Sequence, residues 1–99
     1  MTTLGERVVK VRSKNAGPFW VTIDIFCGDA ATFADITTRL DTATVARLFA
    51  TPLQLVRRFD IADLHVIKLS LPRPVVQGAA DDRDMHGAQW AHLLSEMAL

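Results

Sequence analysis

Apolar and polar positions alternate with a period of two over residues 8–12, with Val9 and Val11 on one face and Lys10 and Arg12 on the other. This pattern predicts a half-buried first strand. The alternation returns over residues 20–27, where Val21, Ile23, Ile25 and Cys27 oppose Trp20, Thr22, Asp24 and Phe26. Turn-forming residues at 13–18 separate the two runs and make them a hairpin. The period then changes. Beyond Gly28, Asp29 is placed to cap a helix over residues 30–39, whose apolar positions Phe33, Ile36 and Leu40 have helical spacing. Asp41 or Thr42 caps a second helix over residues 44–50, carried by Val45, Leu48 and Phe49.

Residues 56–60 and 64–71 predict a second hairpin, joined across Ile61-Ala62-Asp63, with His65, Ile67, Leu69 and Leu71 alternating against Val66, Lys68 and Ser70. Pro72-Arg73-Pro74 ends its second strand, because proline cannot donate to a ladder. Residues 81–87 lead into a last helix with an apolar stripe of His86, Trp90, Leu93, Leu94 and Met97. Asp81, Asp82 and Asp84 fall near its electropositive N-terminal end, which accounts for them without a metal. The order strand, strand, helix, strand, strand, helix predicts an α+β fold, a permuted ferredoxin-like ββαββα arrangement. In it a four-stranded antiparallel sheet carries its helices on one face, as when the last strand of a ferredoxin-like unit is moved to the front.

Composition narrows the function classes. At 99 residues the chain is expected to form one domain over 1–99. No apolar run approaches the ~20 residues of a membrane span, and no export signal precedes the first strand, so a soluble cytoplasmic protein with no membrane partner is expected. Eleven Lys plus Arg balance eleven Asp plus Glu, so no global field favours nucleic acid as a partner. Cys27 is the one cysteine, which excludes an intrachain disulfide and a multi-cysteine zinc site, and its strand position predicts a buried, inert thiol. His65, His86 and His92 are dispersed without metal-ligand spacing. There is no nucleotide fingerprint, nucleophile elbow or phosphate loop, so neither a cofactor nor a metal is expected.

The candidate chemistry lies in a cationic, turn-rich segment, Arg12-Ser13-Lys14-Asn15-Ala16-Gly17-Pro18-Phe19-Trp20. Arg12, Lys14 and the Ser13 and Asn15 donors suit a carboxylate or phosphate, and Gly17 supplies the turn. With strands 20–27 and 64–71 antiparallel at the centre, this loop sits beside Arg73, which two prolines hold in extended chain. Arg12, Lys14, Arg73, Arg83 and His86 would then line one basic rim, with His86 available as an acid or base. Asp24 and Lys68 oppose the aliphatic stripes of the central strands and are expected to pair. With Trp20 and Phe26 they would form a mixed apolar and charged face suited to docking another subunit.

Three motifs in order are familiar: the 12–20 segment with Thr22-Ile23-Asp24-Ile25-Phe26; Ile67-Lys68-Leu69-Ser70-Leu71-Pro72-Arg73-Pro74; and Asp82-Arg83-Asp84-Met85-His86-Gly87-Ala88-Gln89. Together they resemble the family called domain of unknown function 4387 over nearly the whole chain. The family is similar to the small ferredoxin-fold domain of acyclic terpene utilisation protein A, and its members are often encoded beside or fused to the large domain of that protein. The resemblance implies an accessory role with a large acyclic terpene utilisation type subunit as partner. It also implies a small acidic metabolite or acyl-CoA as ligand, in bacterial carboxylic acid catabolism. His86 stands where an aromatic residue is common in the family. The alternatives are a stand-alone hydro-lyase or isomerase using His86 and the loop cations, and a homo-oligomeric ligand-binding module.

Overall fold

The computed structural model describes residues 2–73 and 88–99. In chain order these residues form α1 (Leu4–Arg7), β1 (Lys10–Asn15), β2 (Trp20–Phe26), α2 (Ala30–Arg39), α3 (Thr42–Leu48), β3 (Arg57–Ile61), β4 (Val66–Pro72) and α4 (Ala88–Ser95). All three strand pairings are antiparallel, in the order β1-β2-β4-β3. That is the order obtained when the last strand of a ferredoxin-like unit is placed first.

The side-chain alternation on the two central strands decides which face is covered. Val21, Ile23 and Ile25 of β2 and Ile67, Leu69 and Leu71 of β4 are fully buried and share one core with Ile36, Leu40, Val45 and Leu94 from the helical layer. Burying each such side chain contributes about 1.5–3 kcal/mol, which fixes register, because a one-residue slip would turn the whole stripe to the other face. Cys27 extends the β2 stripe and is buried, and burial pushes its thiol pKa up, in keeping with an inert core residue.

The helices begin where side-chain oxygens meet orphan amides. Asp29 Oδ1 accepts from the Thr32 N–H at 2.7 Å to open α2, and this bond holds its carboxyl below the ordinary carboxylate range. Asp41 Oδ1 caps α3 through the Ala43 N–H at 3.2 Å. At the end of α3, the Ala50 N–H bonds Arg47 O and the Thr51 N–H bonds Ala46 O, with Ala50 at φ +51°. This is a Schellman cap with alanine at the position that favours glycine. A Thr3 and Glu6 capping box opens α1, a turn that periodicity alone does not reveal because it is four residues long. The Leu4 N–H bonds Met97 O and the Leu99 N–H bonds Thr2 O, joining the two ends of the described chain.

Several boundaries differ from the sequence reading. The first strand runs over Lys10–Asn15 rather than 8–12, because Val8 is the C-cap of α1, its N–H bonded to Leu4 O, and the ladder opens with the Val9 N–H to Phe26 O bond. Ser13, Lys14 and Asn15, expected in the turn, are strand residues paired with Ile23, Thr22 and Val21. The turn itself occupies residues 16–19, with Gly17 at φ +76°, and is closed by the Ala16 N–H to Trp20 O bond. The α3 helix starts at Thr42, β3 starts at Arg57 and β4 starts at Val66, since a 3-10 turn over Ala62–Leu64 and left-handed His65 use the residues between the strands. In α4 the inward stripe is Trp90, Ala91 and Leu94, whereas Leu93 is 49% exposed: it is three positions on from Trp90 but on the outer side of the arc centred between Ala91 and Leu94.

Candidate functional site

Among the described residues nothing covers the sheet face opposite the helices, and the register arranges its side chains in rows. Lys10, Phe26, Val66 and Ile61 form one row, Arg12, Asp24, Lys68 and Phe59 the next, Lys14, Thr22, Ser70 and Arg57 the third, and Trp20 with Pro72 the last. All four residues expected to dock a subunit, Trp20, Asp24, Phe26 and Lys68, therefore lie on this one face. Asp24 and Lys68 are direct cross-strand partners, with Arg12 on the other side of Asp24.

Charge on this face is strongly one-sided although the whole chain is neutral. Among the described residues it carries Lys10, Arg12, Lys14, Arg57 and Lys68 against the carboxylate of Asp24. Two of the cations are already organised over aromatic rings, Lys10 at 5.8 Å from the Phe26 centroid and Arg57 at 5.0 Å from that of Trp20. Phe59 is 53% exposed, and the Thr22 hydroxyl is buried on this face without a hydrogen-bond partner among the described residues. The hydroxyl thus shares this face with the exposed Phe59 ring, the half-buried Trp20 and Phe26 rings and the cations.

The strand pleat divides the expected anion cradle. Ser13 and Asn15 point to the helix side, whereas Arg12 and Lys14 point to the uncovered face. Ser13 Oγ accepts from the Ala91 N–H at 2.8 Å, tying β1 to the start of α4. Asn15 Oδ1 accepts from the Arg73 guanidinium, and the Arg73 N–H bonds Phe19 O at 2.7 Å, so the hairpin turn and the end of β4 do converge. Arg12 is not part of that junction. Gly17 lies at the turn between them with open space around its α-carbon. Arg83 and His86 lie outside the described residues.

Beside this junction is a cavity of about 170 Å³ lined by Phe49, Ala50, Thr51, Pro52, Pro72 and Arg73. Its floor is stiff. Phe49 stacks on Trp90 at 4.7 Å, Thr51 Oγ1 donates to Phe49 O, and two prolines and the Schellman cap restrict the backbone. Arg73 supplies the one guanidinium among the described residues of the lining. Among the described residues no three His, Cys, Asp or Glu side chains come together as a metal site.

Sequence reasoning missed the role of Arg58. Its guanidinium reaches Leu40 O, Thr37 O at 3.0 Å, Thr42 Oγ1 at 3.1 Å and Asp60 Oδ1 at 2.9 Å, so one side chain ties the end of α2 and the start of α3 to β3. A charged residue within a short alternating strand was the available signal, but its acceptors are backbone carbonyls that no motif marks. Arg7 and Arg39 both bind Asp35, and these bonds hold its carboxyl below the ordinary range.

No helix among the described residues is long and apolar enough to cross a membrane. No curated protein and no solved structure matches the chain. The family model described as Domain of unknown function (DUF4387) matches residues 4–98, and the chain belongs to that family.

Proposed function

We propose that this member of the DUF4387 family is an accessory domain that docks a larger subunit on its uncovered sheet face and contributes the Arg73 rim to a shared site for a small carboxylate or acyl-CoA. The one-sided face carries the reading: Lys10, Arg12, Lys14, Arg57 and Lys68 surround aromatic anchors and one carboxylate. Cations and aromatic rings on a preformed sheet give charge steering and contact area with little conformational entropy to lose. The partner surface is correspondingly acidic. A large acyclic terpene utilisation type subunit, the partner implied by the sequence motifs, is the reading of its identity.

The Arg73 cavity supports the ligand class. A guanidinium fixed by Asn15 beside apolar Phe49, Pro52 and Pro72 suits a carboxylate on a short apolar body. Catabolism of such acids in the cytoplasm is the setting proposed. Co-expression with the large subunit tests the reading: the two chains should purify as one complex at micromolar concentration, and chains that remain separate would contradict it.

A further inference from the structure

Among the described residues the β3 strand, Arg57–Ile61, is the end strand of the sheet, and it is flanked by apolar side chains left in solvent. Leu53 and Leu55 before it are 50% and 44% exposed, and Phe59 within it is 53% exposed, as is Leu64 after it at 68%. An end strand with such flanks presents unpaired backbone groups to another chain. We propose that β3 pairs with β3 of a second copy, antiparallel about a twofold axis at Phe59, to form one continuous eight-stranded sheet.

Charge selects both the occupant and the register. When two copies pair with their helices on the same side, residues facing each other must point to the same face, so the axis passes through a residue rather than between two. An axis at Phe59 sets the in-chain Arg58–Asp60 pair of one copy against the same pair of the second in reverse order, so that each half-exposed Asp60, bonded to its own Arg58, also comes opposite the second copy's Arg58 on the helix side. On the other face it sets Phe59 against its own copy and Arg57 against Ile61. An axis at Arg58 or Asp60 would oppose like charges, which is destabilising. The opposite end strand, β1, is excluded as a self-pairing edge because exposed Lys10, Arg12 and Lys14 would meet cations of the second copy. The two uncovered faces of such a dimer lie on the same side of the sheet, so a docking partner would meet two of them in twofold symmetry.

Sedimentation equilibrium on the isolated chain reads the assembly directly. At about 100 μM the wild type is expected at twice the 10.9 kDa chain mass. Asp60→Lys removes the in-chain bond to Arg58 and sets like charges opposite each other across the axis; with far-UV circular dichroism verifying the fold, it should raise the dimer dissociation constant by about tenfold or more. Phe59→Cys supplies a gain-of-signal arm: with copper-phenanthroline as oxidant, the two facing thiols lose two protons and two electrons and form one intermolecular disulfide. A Lys14→Cys chain treated alike should stay uncrosslinked. A monomeric wild type, a dimer that Asp60→Lys leaves unchanged, or equal crosslinking at positions 14 and 59 would overturn the proposal.

Discussion

Asp24 and Lys68 stand directly opposite each other at the centre of the uncovered sheet face, Asp24 being the one carboxylate there among the described residues and flanked by Lys68 on one side and Arg12 on the other. The register sets Asp24 between two cations without an ion pair of 4 Å or less to either, and further cations lie to both sides. Buried aliphatic stripes on the reverse of the same two strands fix that placement, so the surface chemistry is held by the core.

Arg58 should be the most sensitive charged residue for stability. Replacing it with Met keeps much of the aliphatic packing but leaves Leu40 O and Thr37 O at the end of α2 without their donor. Hydrogen bonds to a charged group are each worth about 1.5–3 kcal/mol, less where solvent reaches them, so Arg58→Met is expected to cost about 2–3 kcal/mol in urea unfolding. A loss below about 0.5 kcal/mol would show that the helical layer does not depend on it.

Asn15 and Arg73, 58 residues apart in sequence, should act as a unit. A double-mutant cycle with Asn15→Ala and Arg73→Ala is expected to give a coupling energy of about 1 kcal/mol. Independent effects would mean that the hairpin turn and the end of β4 are not energetically joined.

Ala50 occupies the left-handed position of the α3 cap at φ +51°. Ala50→Gly relieves about 1–2 kcal/mol of steric cost and adds up to about 1 kcal/mol of unfolded-chain entropy, so a net gain of about 0.5 kcal/mol is expected in thermal or urea unfolding. A destabilised variant would contradict the cap assignment.

Acid should weaken the link between α1 and α2. Asp35 has its carboxyl pKa lowered by its bonds to Arg7 and Arg39, so its contribution is present above the unfolded carboxylate value and disappears as pH falls through the lower folded value. Asp35→Asn should therefore narrow the difference in stability between pH 7 and values below about pH 4. An unchanged pH profile in the variant would count against the pairing.

The fold was legible because apolar alternation and two aspartate caps survive without context: β2 and α2 lie where Val21, Ile23, Ile25 and Asp29 put them. The placement of Trp20, Asp24, Phe26 and Lys68 on one face was legible for the same reason, since they are the other half of those alternations. The extent of β1 was not, because Ser13 and Asn15 carry turn propensity yet are paired in the strand, and the pleat sends them to the opposite face from Arg12 and Lys14. Arg58 escaped notice because its partners are carbonyls of α2, set by tertiary packing and not by residue type.

The central claim, that the cationic sheet face docks an acidic partner surface, is tested most directly by titration calorimetry of this chain against the large acyclic terpene utilisation type subunit. Wild type is compared with an Arg12→Glu, Lys68→Glu variant, with far-UV circular dichroism verifying that both are folded. The account predicts salt-sensitive binding by the wild type, weakened about 100-fold or more in the variant. Equal affinity of the two folded chains, or no binding by the wild type, would contradict it.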